Sequence, residues 1–543
     1  MSNSFIQPET WTRSRPCVAG RNGAVASAHP LATQAGLDIL RNGGNAVDAA
    51  IAMAAALGVV EPYMSGLAGN GLMLIHLANG TTASLNFTGY PPMAALPEHF
   101  TPESQDVGPR ASMVPGNLAG WCAVLDKYGT KTRRDVFAPA IALAKEGFPL
   151  LPFNVKFIES NLPRLNPAAA AVFGSVPARI GSVLRQVDLA RSLTDIAEAG
   201  SELFYKGALG KTIVEYLQSQ QGLLSMDDLA NFKPEWEQPI RITYRDCEIV
   251  SCPPNSEGFQ ILQTLKLLEP FDLAALGHNS TAYIHLLTEA MKICVADRIE
   301  YSADPKFYRV PVDQLLADGY VNERRKLIDN ARASFSEGER PARLRPPGSV
   351  PPGTPEGLTT HMAAVDEQGN SVCITQSFGN GFGSGVMIPG TGLLLNNFIW
   401  WTEIDPQAPP QHQVKGGQKW SCCMSPIQVY RCGKFWFSIS TPGSWGILQT
   451  TVQMLLNILE FGMDPQLAID APRFRLWEGT RIQMENRFDP GVLAELTARG
   501  HQVETIPAFS YIVGGGQAVM IDPESGARLA GADPRRDGYA LAY

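Results

Sequence analysis

Apolar positions through the first 330 residues recur mostly at three- and four-residue spacing, the period of helices that bury one stripe. Residues 32–60 read as two such helices. The break falls at Gly43-Gly44-Asn45, where a glycine ends one helix and an asparagine caps the next. The second helix holds the run Ala49–Val60, which is apolar on every side but shorter than the about 20 residues that span a bilayer, so it is predicted to be buried. The Gly-rich stretch Ser65–Gly71 feeds the apolar strand Leu72–Leu77, and Asn79-Gly80 turns the chain into a second strand over Thr81–Phe87. Helical periodicity dominates 117–232 and again 256–330, with a strand predicted over Gln238–Val250.

The pattern then changes. Between Ser334 and Leu358 stand Pro341, Pro346, Pro347, Pro351, Pro352 and Pro355 with several Gly and Arg and no apolar period, the composition of an exposed linker. Beyond it, short alternating runs predict strands at Thr359–Asp366, Ser371–Phe378, Gly392–Asn396, Ser425–Tyr430, Phe435–Ser440, Ile482–Met484 and Gly516–Ile521, with a helix at Ile447–Phe461. No repeat appears at solenoid periods. The expected organisation is a helix-rich part, 1–358, ending in the Pro-rich linker at 334–358, and a strand-rich part, 359–543.

Composition adds limits rather than a function. The 543 residues are 45% hydrophobic and 18% charged, with 44 Lys plus Arg against 52 Asp plus Glu, a net charge of −8. A chain of this length can bury a large core. Without a block of like charges it offers no nucleic-acid arm, and without a secretory leader or a membrane span the expected location is the cytoplasm. The nine cysteines form no CxxC pair, and the eight histidines do not join them at zinc-site spacing, so free thiols and no metal or cofactor are expected. The Ser65–Gly71 run lacks the Lys-Ser/Thr that would complete a phosphate loop. A homo-oligomer is compatible with the sequence.

Candidate chemistry sits where the linker ends. Cleavage of the Leu358–Thr359 bond would give Thr359 a free α-amine, which titrates near pH 8 and is a suitable base for the hydroxyl of the same residue. On composition alone, Thr359-Thr360 at a strand start is ordinary β-propensity. The ordered motifs of the whole chain give it more weight. Gly43-Gly44-Asn45-Ala46-Val47-Asp48-Ala49-Ala50, Gly58-Val59-Val60-Glu61-Pro62 and Val114-Pro115-Gly116, then Thr359-Thr360-His361, Gly383-Ser384-Gly385, Asn396-Asn397, Met424-Ser425-Pro426 and Pro442-Gly443, resemble the γ-glutamyltransferase family of N-terminal-nucleophile (Ntn) hydrolases in order and spacing.

That resemblance implies an α/β fold built as a four-layer αββα sandwich, two stacked antiparallel sheets between helical layers. It implies autocatalytic cleavage before Thr359 into large and small fragments that stay associated, and a Thr acyl-enzyme formed on a small-molecule amide. Gly443 and Ser444 match the two backbone oxyanion donors, although the family usually has Gly at the second. Ser377 matches a hydroxyl that orients the nucleophile.

The expected head-group site departs from the family pattern. Thr88 stands where the family has the Arg that binds the α-carboxylate, with Tyr90 close behind it. Cys422 and Cys423 match two assisting serines, while Gly379, Phe398 and Trp401 match the Asn, Gln and Asp that hold the α-ammonium. Asn380 lies one residue from the expected Asn. Phe398, Trp400, Trp401, Trp420 and Tyr90 are candidate walls of an apolar pocket; Trp400 and Trp420 would serve equally as core packing. The reading is a self-processing amidohydrolase or acylase that is not selective for γ-glutamyl groups. A true glutathione hydrolase, or an inactive homologue that only binds, are the alternatives.

Overall fold

The strands expected on either side of Asp366 form a hairpin in the computed structural model, which describes residues 13–334, 358–477 and 479–543. Of the expected linker, residues 335–357 lie outside the described residues. The strands are Leu358–Val365 and Ser371–Gly379, paired antiparallel with Thr359 opposite Ser377. Leu358, the last linker residue by sequence, is thus the first residue of the strand.

This hairpin is the centre of a seven-stranded sheet. Ala24–Ser27 and then Tyr539–Ala542 flank it on one side; Asn70–His76, Thr82–Asn86 and Glu235–Glu237 continue it on the other. A second seven-stranded sheet runs Val18–Gly20, Arg528–Ala532, Gln517–Ile521, Lys434–Ser440, Ile427–Arg431, Cys247–Ser251 and Ile240–Tyr244. Every named strand pairing in both is antiparallel.

Side-chain alternation places one core on each face of each sheet. Between the sheets Leu72, Leu74, Ala363, Val365 and Cys373 pack with Val250, Tyr430 and Val519. The other face of the hairpin sheet turns Met73, Ile75, Met362, Ala364 and Ile374 toward the helices Pro30–Arg41 and Ala46–Val60. The outer face of the second sheet turns Ile249, Val429, Phe437 and Met520 toward Phe259–Leu268, Thr281–Tyr301 and Ile447–Leu459. The result is the four-layer αββα sandwich.

The expected strand over 238–250 is two strands joined at Arg245, whose φ of 54° makes a turn without Gly or Asn. The apolar run 49–60 lies in the helix Ala46–Val60, buried on all sides between the hairpin sheet and further helices. Its start is capped twice. Asn45 accepts hydrogen bonds from the Val47 and Asp48 N–H groups, and Asp366 Oδ2 accepts from the Ala46 N–H at 2.9 Å. The cap fixes the helix against the hairpin turn, and its other end delivers Glu61 to the hairpin's start. No helix among the described residues is long and apolar enough to cross a membrane.

Candidate active site

Odd-numbered residues of the Leu358–Val365 strand face the space between the sheets, as Ala363 and Val365 show, so Thr359 faces it too. It is 4% exposed. Directly across the ladder, Ser377 donates its hydroxyl to the Leu358 carbonyl oxygen at 2.6 Å and accepts the Gly379 N–H at 2.8 Å. The carbonyl it polarises belongs to the peptide bond that self-cleavage would break.

Even-numbered Thr360 points to the opposite face. Its hydroxyl donates to Glu61 Oε2 at 2.9 Å. Burial pushes the Glu61 carboxyl up to about 7 despite the Thr360 hydroxyl and the nearby Arg536 guanidinium, which oppose the shift. Arg536 Nη1 donates to the Thr359 carbonyl oxygen at 3.0 Å. No local pattern in the sequence singles out Glu61 or Arg536 for this place, although Glu61 stands within the motif Gly58-Val59-Val60-Glu61-Pro62.

The Gly443-Ser444 turn follows the strand Lys434–Ser440 of the second sheet. Gly443 has φ 132° and Ser444 φ 58°, so Ser444 takes a left-handed conformation that glycine adopts more easily. Thr441 braces the turn by donating to the Pro442 carbonyl at 3.0 Å and accepting the Gly515 N–H at 2.7 Å.

Two of the head-group positions, Thr88 and Cys422, meet at Asn255. Thr88 is fully buried and its hydroxyl donates to Asn86 Oδ1 at 2.6 Å, with Asn255 Oδ1 at 3.2 Å. Asn255 donates to the Trp420 carbonyl and accepts the Cys422 N–H, both at 2.8 Å. Trp420 stacks on Phe398 at 4.4 Å, and Trp401 packs on Trp445, beside the Ser444 turn, at 5.0 Å. Burial raises the Cys422 and Cys423 thiols well above their ordinary range, so both are protonated. Tyr90 lies apart, its ring 6.0 Å from Phe232 at the helical layer.

Gly379 has φ 103°, and a Cβ there would lie 2.3 Å from Asn397 Oδ1. A side chain there would have to displace the Asn397 amide oxygen, which accepts the Asn380 N–H at 2.8 Å, and would take a strained positive φ, so glycine suits the position that matches the family's Asn. Asn380 is tied elsewhere: its amide donates to Asp106 Oδ1 at 2.8 Å, and Arg164 pairs with the same oxygen at 2.8 Å.

One group of possible metal ligands occurs among the described residues, far in sequence from this site: His285, Glu289 and His501, with atoms within 4.8 Å of one another. The two rings share a 2.8 Å hydrogen bond, and Glu289 accepts from Lys292 at 2.7 Å and from the Ser334 N–H at 3.1 Å. A cation would have to displace these partners, and Lys292 already neutralises the carboxylate.

Comparison with known proteins agrees with this architecture. The γ-glutamyltranspeptidase family model matches residues 32–543. The acylase ACY 1 proenzyme of Pseudomonas sp. (strain SE83) is 36% identical, covering 98% of this chain and 95% of its own. The glutathione hydrolase proenzyme of Escherichia coli (strain K12) is 35% identical, covering 95% and 91%. Among solved structures, the cephalosporin acylase from Bacillus halodurans superposes with a TM-score of 0.88 at 32% identity, covering 99% of both chains. With its fold, its motif order and these relatives in agreement, the chain is an amide-bond hydrolase or transferase that belongs to the γ-glutamyltranspeptidase family.

Proposed function

We propose that the protein cleaves itself between Leu358 and Thr359 and then uses Thr359 to hydrolyse acyl amides other than γ-glutamyl ones. The observation that carries the first half is the Ser377 hydroxyl, 2.6 Å from the Leu358 carbonyl oxygen. Attack of the Thr359 hydroxyl on that carbonyl carbon closes a five-membered ring and moves the acyl group from nitrogen to oxygen. Water then releases residue 358 as a carboxylate and leaves Thr359 with a free α-amine. In turnover the amine takes the hydroxyl proton, Thr359 Oγ attacks the substrate carbonyl, and the Gly443 and Ser444 N–H groups receive the oxyanion. Water or an amine discharges the acyl-enzyme. Both sheets interleave strands from before and after residue 358, so backbone ladders hold the fragments together.

The second half rests on the head-group positions. Thr88 has spent its hydroxyl on Asn86, position 379 is a glycine at positive φ with no side chain to offer, Phe398 and Trp401 are in aromatic pairs, and the two thiols are neutral. A γ-glutamyl zwitterion bound there would forgo charge-assisted hydrogen bonds worth about 1.5–3 kcal/mol each. Three such losses reduce kcat/KM by about 10³-fold or more, at 1.36 kcal/mol per decade. An uncharged or des-amino acyl group suits these walls.

The test has two parts. Purified wild-type protein should run as two fragments and Thr359→Ala as one chain of 58.8 kDa; an active wild type that stays intact overturns the mechanism. On processed enzyme, γ-glutamyl-p-nitroanilide and glutathione should be very poor substrates beside uncharged acyl anilides. Efficient γ-glutamyl cleavage, about 10⁴ M⁻¹s⁻¹ or above, would favour a rebuilt head-group site at the Asp106–Arg164 pair, which places both charges beside Asn380.

A further inference from the structure

Two buried side chains, one acidic and one basic, grip the chain at the nucleophile without belonging to the acyl-transfer chemistry. Arg536 holds the Thr359 carbonyl oxygen from one side, and Glu61 holds the Thr360 hydroxyl, both fully or almost fully removed from water. Glu61 comes from the end of the helix Ala46–Val60, whose other end is capped by the hairpin turn at Asp366. Arg536 comes from the loop before the last strand. Its stem lies across Gly515, where an added Cβ would stand 2.5 Å from Arg536 Cδ. The Gly515 N–H in turn donates at 2.7 Å to Thr441, the residue that braces the Pro442-Gly443-Ser444 turn.

These contacts form one chain, from the carbonyl of Thr359 through Arg536 and Gly515 to the turn that offers the oxyanion donors. We infer that Glu61 and Arg536 are positioning residues that hold the nucleophile of the hairpin sheet in register with the oxyanion turn of the second sheet. The inference rests on the proposed role of Thr359. Neither residue touches the scissile bond. Each fixes a backbone or side-chain atom of Thr359 or Thr360, and Arg536 alone also contacts the support of the turn. A misplacement of about 1 Å between reacting groups costs up to 10²-fold in rate, so a grip of this kind acts on kcat rather than on substrate affinity.

Truncating either side chain leaves buried polar or charged neighbours unmet, which can unfold a protein regardless of catalysis. The test therefore pairs single and double variants. In the full-length protein, Thr360→Val, Glu61→Gln and Arg536→Met should each slow self-processing and lower the kcat of processed enzyme by about 10- to 100-fold with KM little changed. Thr360→Ser, which keeps the hydroxyl, should retain the wild-type rate. The double variant Glu61→Gln/Arg536→Met buries no charge at the pair, so its melting temperature should exceed that of Arg536→Met, while its processing and kcat stay slow. Recovery of both rates along with stability in the double variant would show a structural role only and overturn the inference. So would a wild-type kcat in Thr360→Val. Thr359→Ala serves as the separate control: cleavage at 358–359 in that variant would remove Thr359 from the mechanism whatever the grip does.

Discussion

At the scale of single residues, two serines take positions where the family pattern favours other residues, and the geometry tells the cases apart. Ser444 adopts φ 58° although it has a Cβ, a conformation that costs roughly 1 kcal/mol and that the flanking Gly443 and the Thr441 brace hold in place. Because the oxyanion donor proposed here is the backbone N–H, a change of side chain leaves that role open. Ser377 is different, since the role proposed for it needs the hydroxyl itself, which lies 2.6 Å from the Leu358 oxygen and accepts the Gly379 N–H. Ser377→Ala should slow self-processing by about 10- to 1000-fold, the scale of losing one positioned donor to a developing oxyanion. Ser377→Thr keeps the hydroxyl and should process near the wild-type rate. A time course on gels reads both, and an alanine variant that matures as fast as wild type would remove Ser377 from the site.

At the scale of elements, the central hairpin and the helix beside it form one mechanical unit, joined by Asp366. Its Oδ2 accepts the Ala46 N–H at 2.9 Å and the Asn370 side-chain amide at 2.7 Å, and its Oδ1 accepts the Asn370 N–H at 2.9 Å. Asp366→Ala leaves the buried Ala46 N–H unmet, which costs about 1–3 kcal/mol. Calorimetry should therefore show a melting temperature lower by a few degrees, with kcat nearly unchanged because Asp366 lies at the far end of the strand from Thr359; an unshifted transition would refute the coupling. What the sequence made legible follows from periodicity: the hairpin strands, the two helices at 30–60 and the helix from Ile447 were all readable to within a few residues. It hid the strands Val18–Gly20, Ala24–Ser27, Arg528–Ala532 and Tyr539–Ala542, whose short runs of small residues carry little alternation. At the site, ordered motifs pointed to Thr359 and Ser377. Arg536, Asn255 and the partnership of Glu61 with Thr360 were invisible because those contacts close loops of 177, 167 and 299 positions, and no local pattern records them.

For the whole molecule, the sandwich encloses ionisable groups whose burial works in opposite directions as pH falls. Burial, first among the causes in each case, pushes the carboxyls of Glu61, Glu237 and Glu403 up to about 7. An acid raised in this way binds its proton more tightly folded than unfolded, so it adds stability at low pH that is lost as pH rises through about 7. The same burial lowers His29, His361 and His501 to about 3, and His76 and His278 to about 4. A lowered histidine does the reverse: the unfolded chain takes up the proton near pH 6.5 while the folded chain refuses it, so stability is lost as pH falls below 6.5. Between about pH 7 and 4.5 the three glutamates offset part of what the five histidines lose. Below about 4.5 the unfolded glutamates also protonate, their offset stops growing, and the histidine loss stands alone until pH 3–4. The melting temperature should therefore peak broadly near pH 6.5, decline gently to about pH 5, and drop steeply below 4.5. Thermal melts of the processed protein in half-unit steps from pH 4 to 8 would check this, and a melting temperature still rising below pH 5 would show that the histidines are not buried as neutral groups.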